Sequence, residues 1–151
     1  MKPILIMLTM MFCSILVHAQ STEDSVKMAV NKLFEGMKNA DAALVSASFS
    51  DSAILQTISS NKEGKIIIRN EQVKDFAEFV SKQKKGAADE HINFETIKID
   101  GPLAVAWTPY KFYYEGKFSH CGVNSFQLVR MNGQWKIQYL IDTRRGEGCE
   151  Q

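Results

Sequence analysis

Between Leu103 and Arg145 polar and apolar residues alternate along three long stretches, separated by Glu115-Gly116 and Asn132-Gly133. A period of two marks half-buried strands, with one side packed and the other wet. Asn-Gly is the strongest short hairpin signal, because both residues accept the positive φ of a type I′ turn. With Met131 opposite Gln134, the register pairs Leu128 with Ile137, Phe126 with Tyr139, Asn124 with Ile141 and Gly122 with Thr143. The predicted packed face therefore carries Asn124, Phe126, Leu128, Trp135, Ile137, Tyr139 and Ile141, and the wet face Ser125, Gln127, Lys136 and Gln138. The Glu115-Gly116 turn sets Tyr114 against Lys117, which puts Lys111 opposite His120, Trp107 opposite Asn124 and Val105 opposite Phe126. Pro109 then faces Gly122. One lacks a ladder donor and the other permits close approach, so the sheet should bend or bulge there.

Upstream the period lengthens. Val26, Ala29, Val30, Leu33, Phe34 and Met37 recur at helical spacing, predicting an amphipathic helix over Thr22 to Asn39. Asp41 can cap a short second helix ending near Phe49. Ala53 to Ser59 and Lys65 to Arg69 form a small hairpin around Asn61-Lys62-Glu63-Gly64. Val73, Phe76, Ala77 and Val80 mark a third helix, capped by Asn70 and finishing before Gly86. Ile92 to Ile99 is strand-like, although Phe94 and Ile97 disagree in parity and suggest a bulge.

The N-terminus changes the picture of location. Lys2 precedes a mostly apolar run, Ile4 to Val17, and then Val17-His18-Ala19, the organisation of a signal peptide over 1–19 with cleavage after Ala19. A membrane anchor is the alternative, disfavoured because the run falls short of the roughly 20 residues that span a bilayer. Bulky Phe12 before Cys13 does not suit a lipoprotein site. The remaining 20–151 has the length of one domain. The chain holds 18 basic and 17 acidic residues, and the leader removes only Lys2, so the exported form is formally neutral. That balance argues against a nucleic-acid partner, and removal of the leader leaves no membrane segment. The Lys82, Lys84, Lys85 cluster is the cationic end of a helix.

Two cysteines outlast cleavage, Cys121 and Cys149. An even number in a small exported domain points to a disulfide, the alternative being two unpaired thiols. The register places Cys121 opposite Arg144, and Gly146-Glu147-Gly148 can turn the tail back. The bridge would close about 28 residues and stabilise by roughly 3 to 4 kcal/mol.

Helices followed by a bent antiparallel sheet give an α+β domain, cone-shaped, with the N-terminal helices packed on the concave face. Gly122-Val123-Asn124-Ser125-Phe126-Gln127-Leu128-Val129-Arg130, then Asn132-Gly133-Gln134-Trp135-Lys136-Ile137 and Asp142-Thr143-Arg144, resemble the nuclear-transport-factor-2-like superfamily. Within it they resemble the SnoaL-like, "Putative lumazine-binding" branch of secreted bacterial proteins. The resemblance covers roughly Ser21 to Arg145. It implies the cone scaffold but no one chemistry, since the superfamily hosts isomerases, dehydratases, cyclases and non-catalytic binding domains.

The register gathers Trp107, Lys111, His120, Asn124, Tyr139 and Thr143 on the inward face, with Arg145 inward by parity at the mouth. An apolar body with a few convergent polar groups is the usual composition of a small-molecule site. Trp107 and Tyr139 have a plainer reading as core aromatics with satisfied tips. His120 could serve as an acid or base near neutrality. Arg145 or Arg144 could meet an anionic ligand, or pair with Asp142 at the surface. No metal centre is indicated, since His91 is the only other histidine after the leader and no three-ligand grouping is visible. The expectation is an exported protein that binds a polar or partly aromatic small molecule without a tightly held cofactor. The alternative is a dehydratase- or ketosteroid-isomerase-like lyase or isomerase using His120. Resemblance to the isomerases requires a concave-face carboxylate, and parity turns Asp142 outward. Glu115 lies in a turn, Asp100 ends a strand, Asp41 is a cap, and Asp51 is left on the helical side. A homodimer through the wet outer face, of Ser125, Gln127, Lys136 and Gln138, is compatible with either reading.

Overall fold

A computed structural model describes residues 22–149, and the signal peptide expected at 1–19 lies outside them. Three helices, α1 (Thr22–Asn39), α2 (Ala42–Ser48) and α3 (Val73–Ser81), pack on one face of a seven-stranded sheet. Its strands are β1 (Phe49–Ser60), β2 (Ile66–Glu71), β3 (Ala88–Ile92), β4 (Thr96–Asp100), β5 (Leu103–Tyr114), β6 (Lys117–Met131) and β7 (Gln134–Thr143). The order is β2-β1-β7-β6-β5-β3, with β4 also on β5. The α+β class and the helices' side of the sheet agree with the sequence expectation. The sheet is mixed rather than wholly antiparallel, because β1 returns from α2 to run parallel to β7.

Local signals explain the boundaries. Asp41 Oδ1 accepts the Leu44 N–H at 2.9 Å, capping α2 as its side chain predicts. Asn70 does not cap α3. It belongs to β2 and accepts from Gln56 Nε2 at 2.7 Å, leaving Gln72 as a cap without a side-chain bond. The strand expected over Ile92 to Ile99 is two strands: β3 pairs with the far half of β5 and β4 with the near half. Asn93 and Glu95 bridge them by donating to the Pro109 and Trp107 carbonyls, which accounts for the broken parity of Phe94 and Ile97.

The turns form where expected, with Glu115 and Asn132 at positive φ and Met131 opposite Gln134. The registers then slip. In the β6–β7 ladder Leu128 faces Ile137, but Gln127 faces Tyr139, so one extra residue of β7 is accommodated around Gln138. In the β5–β6 ladder Tyr113 faces Phe118 while Phe112 faces His120, so Ser119 is the extra residue. A bulge reverses every side chain beyond it. Leu140 and Asp142 therefore point into the cone, where Tyr139, Ile141 and Thr143 were expected. On β5 the inward set is Ala104, Ala106, Thr108 and Tyr110, while Trp107 and Lys111 face out. Pro109 meets Val123, and Gly122 meets Tyr110. A Cβ on Gly122 would collide with the Thr143 carbonyl, so only glycine permits this crossing of β6 by the end of β7.

The core joins Val26, Val30 and Leu33 of α1, Val45 of α2 and Val80 of α3 to Phe126, Leu128, Ile137 and Leu140 of the sheet. Phe34 meets Phe126 edge-to-face at 6.2 Å. The Trp135 indole N–H reaches Ser25 Oγ at 3.0 Å. The bridge Cys121–Cys149 is formed with Cα atoms 5.7 Å apart, and Cys121 pairs with Arg145 rather than Arg144 because of the slip.

The bulge in β7 makes a distinguishing prediction. Leu140→Ala should cost about 2 to 5 kcal/mol and Ile141→Ala under about 1.5 kcal/mol in denaturant melts, since Leu140 is 6 % exposed in the core. The reverse ordering would restore the unslipped register.

Candidate functional site

The core does not fill the wide end of the cone. There α1 and α3 stand off the sheet and leave a cavity of about 810 Å³. Met37, Phe76, Phe79 and Val80 form its helical wall, and Phe112, His120, Glu90 and Thr57 its sheet wall. Arg69, Glu71 and Arg144 line the same cavity.

Beneath the sheet wall lies a polar cluster built by the two bulges. Asp142 is 7 % exposed and accepts from Thr57 Oγ1 at 2.6 Å and from the Tyr110 hydroxyl at 3.2 Å. The Tyr110 hydroxyl is shared with the Thr143 carbonyl at 3.0 Å, and Arg144 Nε stands 3.8 Å from Asp142 Oδ2. Two neutral donors and a nearby guanidinium are what a buried carboxylate requires. Burial and the neighbouring Asp142 and Glu90 charges hold the Tyr110 phenol well above its ordinary range.

Asn124, 4 % exposed, donates from Nδ2 to Glu90 Oε1 at 2.8 Å. Burial pushes the Glu90 carboxyl from the ordinary 4.5 up to about 7, against the Asn124 hydrogen bond; Asp142 adds to the rise and Arg144 opposes it. His120 lies 4.9 Å from Phe112 and 5.8 Å from Tyr110 between ring centroids, with Nδ1 3.0 Å from Ser119 Oγ. Burial, and then the Arg144 charge, lower it to about 4, so the imidazole is neutral at physiological pH. The fully buried Thr108 hydroxyl, opposite Asn124 in the ladder, has no hydrogen-bond partner among the described residues.

The structure thus brings His120 and Asn124 together on the inner side, as the sequence suggested. It separates the others. Trp107, 44 % exposed, sits opposite Ser125 on the outer face. Tyr139 also faces out, where its hydroxyl donates to Gln56 Oε1 at 2.6 Å, and Thr143 Oγ1 accepts from the Val123 N–H at 3.1 Å. Lys111 and Arg145 line a separate outer depression of about 380 Å³, and Arg144 takes the inward place expected for Arg145. Asp142, expected outward, is inside. The sequence reading missed Glu90 by starting the strand at Ile92; the alternation Ala88, Glu90, Ile92 around Asp89 and His91 was the available signal.

The two titrating groups bias stability in opposite directions. A carboxyl with a raised folded-state pKa loses stability as pH rises, for Glu90 between about 4.5 and about 7. A histidine with a lowered one gains stability as pH rises, for His120 between about 4 and 6.5. Thermal melts across this range should therefore show a rise toward neutrality in Glu90→Gln and a decline in His120→Ala, with the parent flatter than both. Parallel profiles for all three proteins would contradict the half-buried placement of these groups.

Residues 21–139 match the model of the family described as "Putative lumazine-binding". No protein of curated function matches the sequence. Among solved structures, an NTF2-like protein of unknown function from Shewanella baltica is similar with a TM-score of 0.62 and 16 % identity, over 82 % of this chain and 93 % of that one. A cystatin-like-fold protein of unknown function from Nostoc punctiforme gives 0.65 and 10 %, over 83 % and 92 %. An NTF2-like protein of unknown function from Methylobacillus flagellatus gives 0.60 and 18 %, over 83 % and 94 %. At these identities the structures establish the fold alone. The family match spans most of the chain, and the chain belongs to the "Putative lumazine-binding" family of the NTF2-like fold.

Proposed function

We propose that this is an exported protein, released by cleavage after Ala19, that binds a small, partly aromatic organic molecule in the cavity between α1, α3 and the sheet. The observation that carries the reading is the mixed lining of the cavity: Phe76 and Phe79 on the helical wall, and Phe112 beside Glu90 and His120 on the sheet wall, with Arg144 nearby. A planar ligand could stack on Phe112 while its polar edge meets the neutral imidazole and the Glu90 carboxyl, which near pH 7 both donates and accepts. The family description suggests lumazine as a first probe, a bicyclic ring with such an edge. The outer sheet face, with Trp107 exposed beside Ser125 and Gln127, is where we place homodimerisation.

A second reading, proton transfer of the lyase or isomerase kind, is favoured by one observation. A carboxyl pushed up to about 7 stands on the cavity wall, which supplies the concave-face base that outward parity for Asp142 had removed. In that reading Glu90 carries the proton. His120, held neutral down to about 4, serves as a hydrogen-bond partner rather than the acid or base expected of it.

Titration of the intact protein with lumazine, followed by ligand fluorescence, should saturate. Phe112→Ala and Glu90→Gln should each weaken binding by about tenfold, the effect of one lost contact of roughly 1.4 kcal/mol, and Trp107→Ala should leave it unchanged. Unaltered affinity in both cavity variants would refute the site. Enzymatic turnover of a substrate bound there would follow ionisation near pH 7 and vanish in Glu90→Gln; turnover that survives this change would eliminate the proton-transfer reading.

A further inference from the structure

The outer depression carries a second, independent arrangement. Across three adjacent strands, β3, β5 and β6, and the segment that follows β7, the pairings align His91 with Lys111, Lys111 with Cys121, and Cys121 with Arg145. Residues in such a row share a face of the sheet and stand about 4.5–5.5 Å from their neighbours, so Lys111 and Arg145 flank Cys121 and its bridge to Cys149 on the outside of the cone. The same depression is walled by Ile92, Pro109 and Val123. Among the described residues, none that lines it is acidic. Among the described residues, no carboxylate lies within ion-pair distance of Lys111 or Arg145. Asp89 is engaged by His91 at 3.1 Å and by Lys38 at 3.0 Å, so it neutralises the edge of the row but not its centre. Arg145 uses Nε and Nη2 on the Gly148 carbonyl, both at 3.4 Å, and no other side-chain hydrogen bond of its guanidinium is found among the described residues.

We propose that this depression is a second binding site, specific for a small organic carboxylate whose apolar body rests on Pro109, Val123 and the disulfide. One exposed ion pair would contribute little. Here Lys111 and Arg145 line one depression, and a carboxylate can take parallel N–H bonds from a planar guanidinium. The apolar walls reward a carboxylate attached to a ring or short chain over a bare inorganic anion. Paired backbone hydrogen bonds between Cys121 and Arg145, at 2.9 and 3.0 Å, hold the segment that carries Arg145, and the disulfide ties the residues after it to the same strand.

The test uses methyl-labelled, oxidised protein titrated with benzoate and, separately, with benzamide, its uncharged counterpart. Benzoate should give saturable shifts of the Val123 methyls, and benzamide should bind at least tenfold more weakly. Lys111→Gln and Arg145→Gln should each weaken benzoate tenfold or more without lowering the melting temperature, while Lys111→Arg retains it. Equal binding of benzamide, unchanged affinity in both glutamine variants, or shifts confined to the Val80 methyls of the inner cavity would each overturn the proposal. Loss of the Val123 shifts with the inner cavity unaffected would still leave the lumazine reading intact, so the two sites fail separately.

Discussion

Two single-residue insertions, at Ser119 in β6 and around Gln138 in β7, determine which side chains the cone encloses. Because side chains alternate strictly along a strand, each insertion exchanges the inner and outer sets for everything beyond it. Without them the inner side would hold Lys111, Trp107, Ile141 and Thr143. With them it holds Tyr110, Thr108, Leu140, Asp142 and, past the strand end, Arg144. The buried hydrogen-bond cluster, the charged lining of the cavity and the outer basic row all descend from that exchange.

The exchange is tolerated because the burial it forces is compensated. Asp142 alone in an apolar cone would be costly, but Thr57 and Tyr110 both donate to it and Arg144 stands near. Glu90 has only the Asn124 amide, and burial outweighs it, raising that carboxyl to about 7. Asp142 receives two hydroxyls and Glu90 one amide. Below this layer, Phe126, Leu128, Ile137 and the helix valines exclude water and supply the stabilisation that permits a polar layer above.

The fold was largely legible in the sequence because its determinants are local and periodic. The valine and leucine spacing of α1, the Asp41 cap and the two glycine turns each carry their own physical signal. The site was less legible because parity accumulates error. Trp135 and Ile137 were placed correctly, being close to the turn, whereas Tyr139 and Thr143 lie past the insertion and were placed on the wrong side. Leu140-Ile141 offers apolar side chains to both faces, so hydrophobic pattern alone cannot locate the slip. His120 and Asn124 were found because both belong to β6, whose own alternation from Phe126 is unbroken as far as His120. The parallel pairing of β1 with β7 is a long-range contact with no local signature, and it brings Thr57 to Asp142 across 85 residues.

The bulged sheet holds the Glu90 carboxyl in the wall of the cavity, hydrogen-bonded to Asn124. Carbon-13 NMR of the Glu90 side-chain carboxyl across pH measures this directly. The account predicts a midpoint near 7, falling further above the ordinary value when Asn124 is replaced by Leu and its hydrogen bond is lost. A midpoint at the ordinary 4.5, unmoved by that replacement, would contradict it.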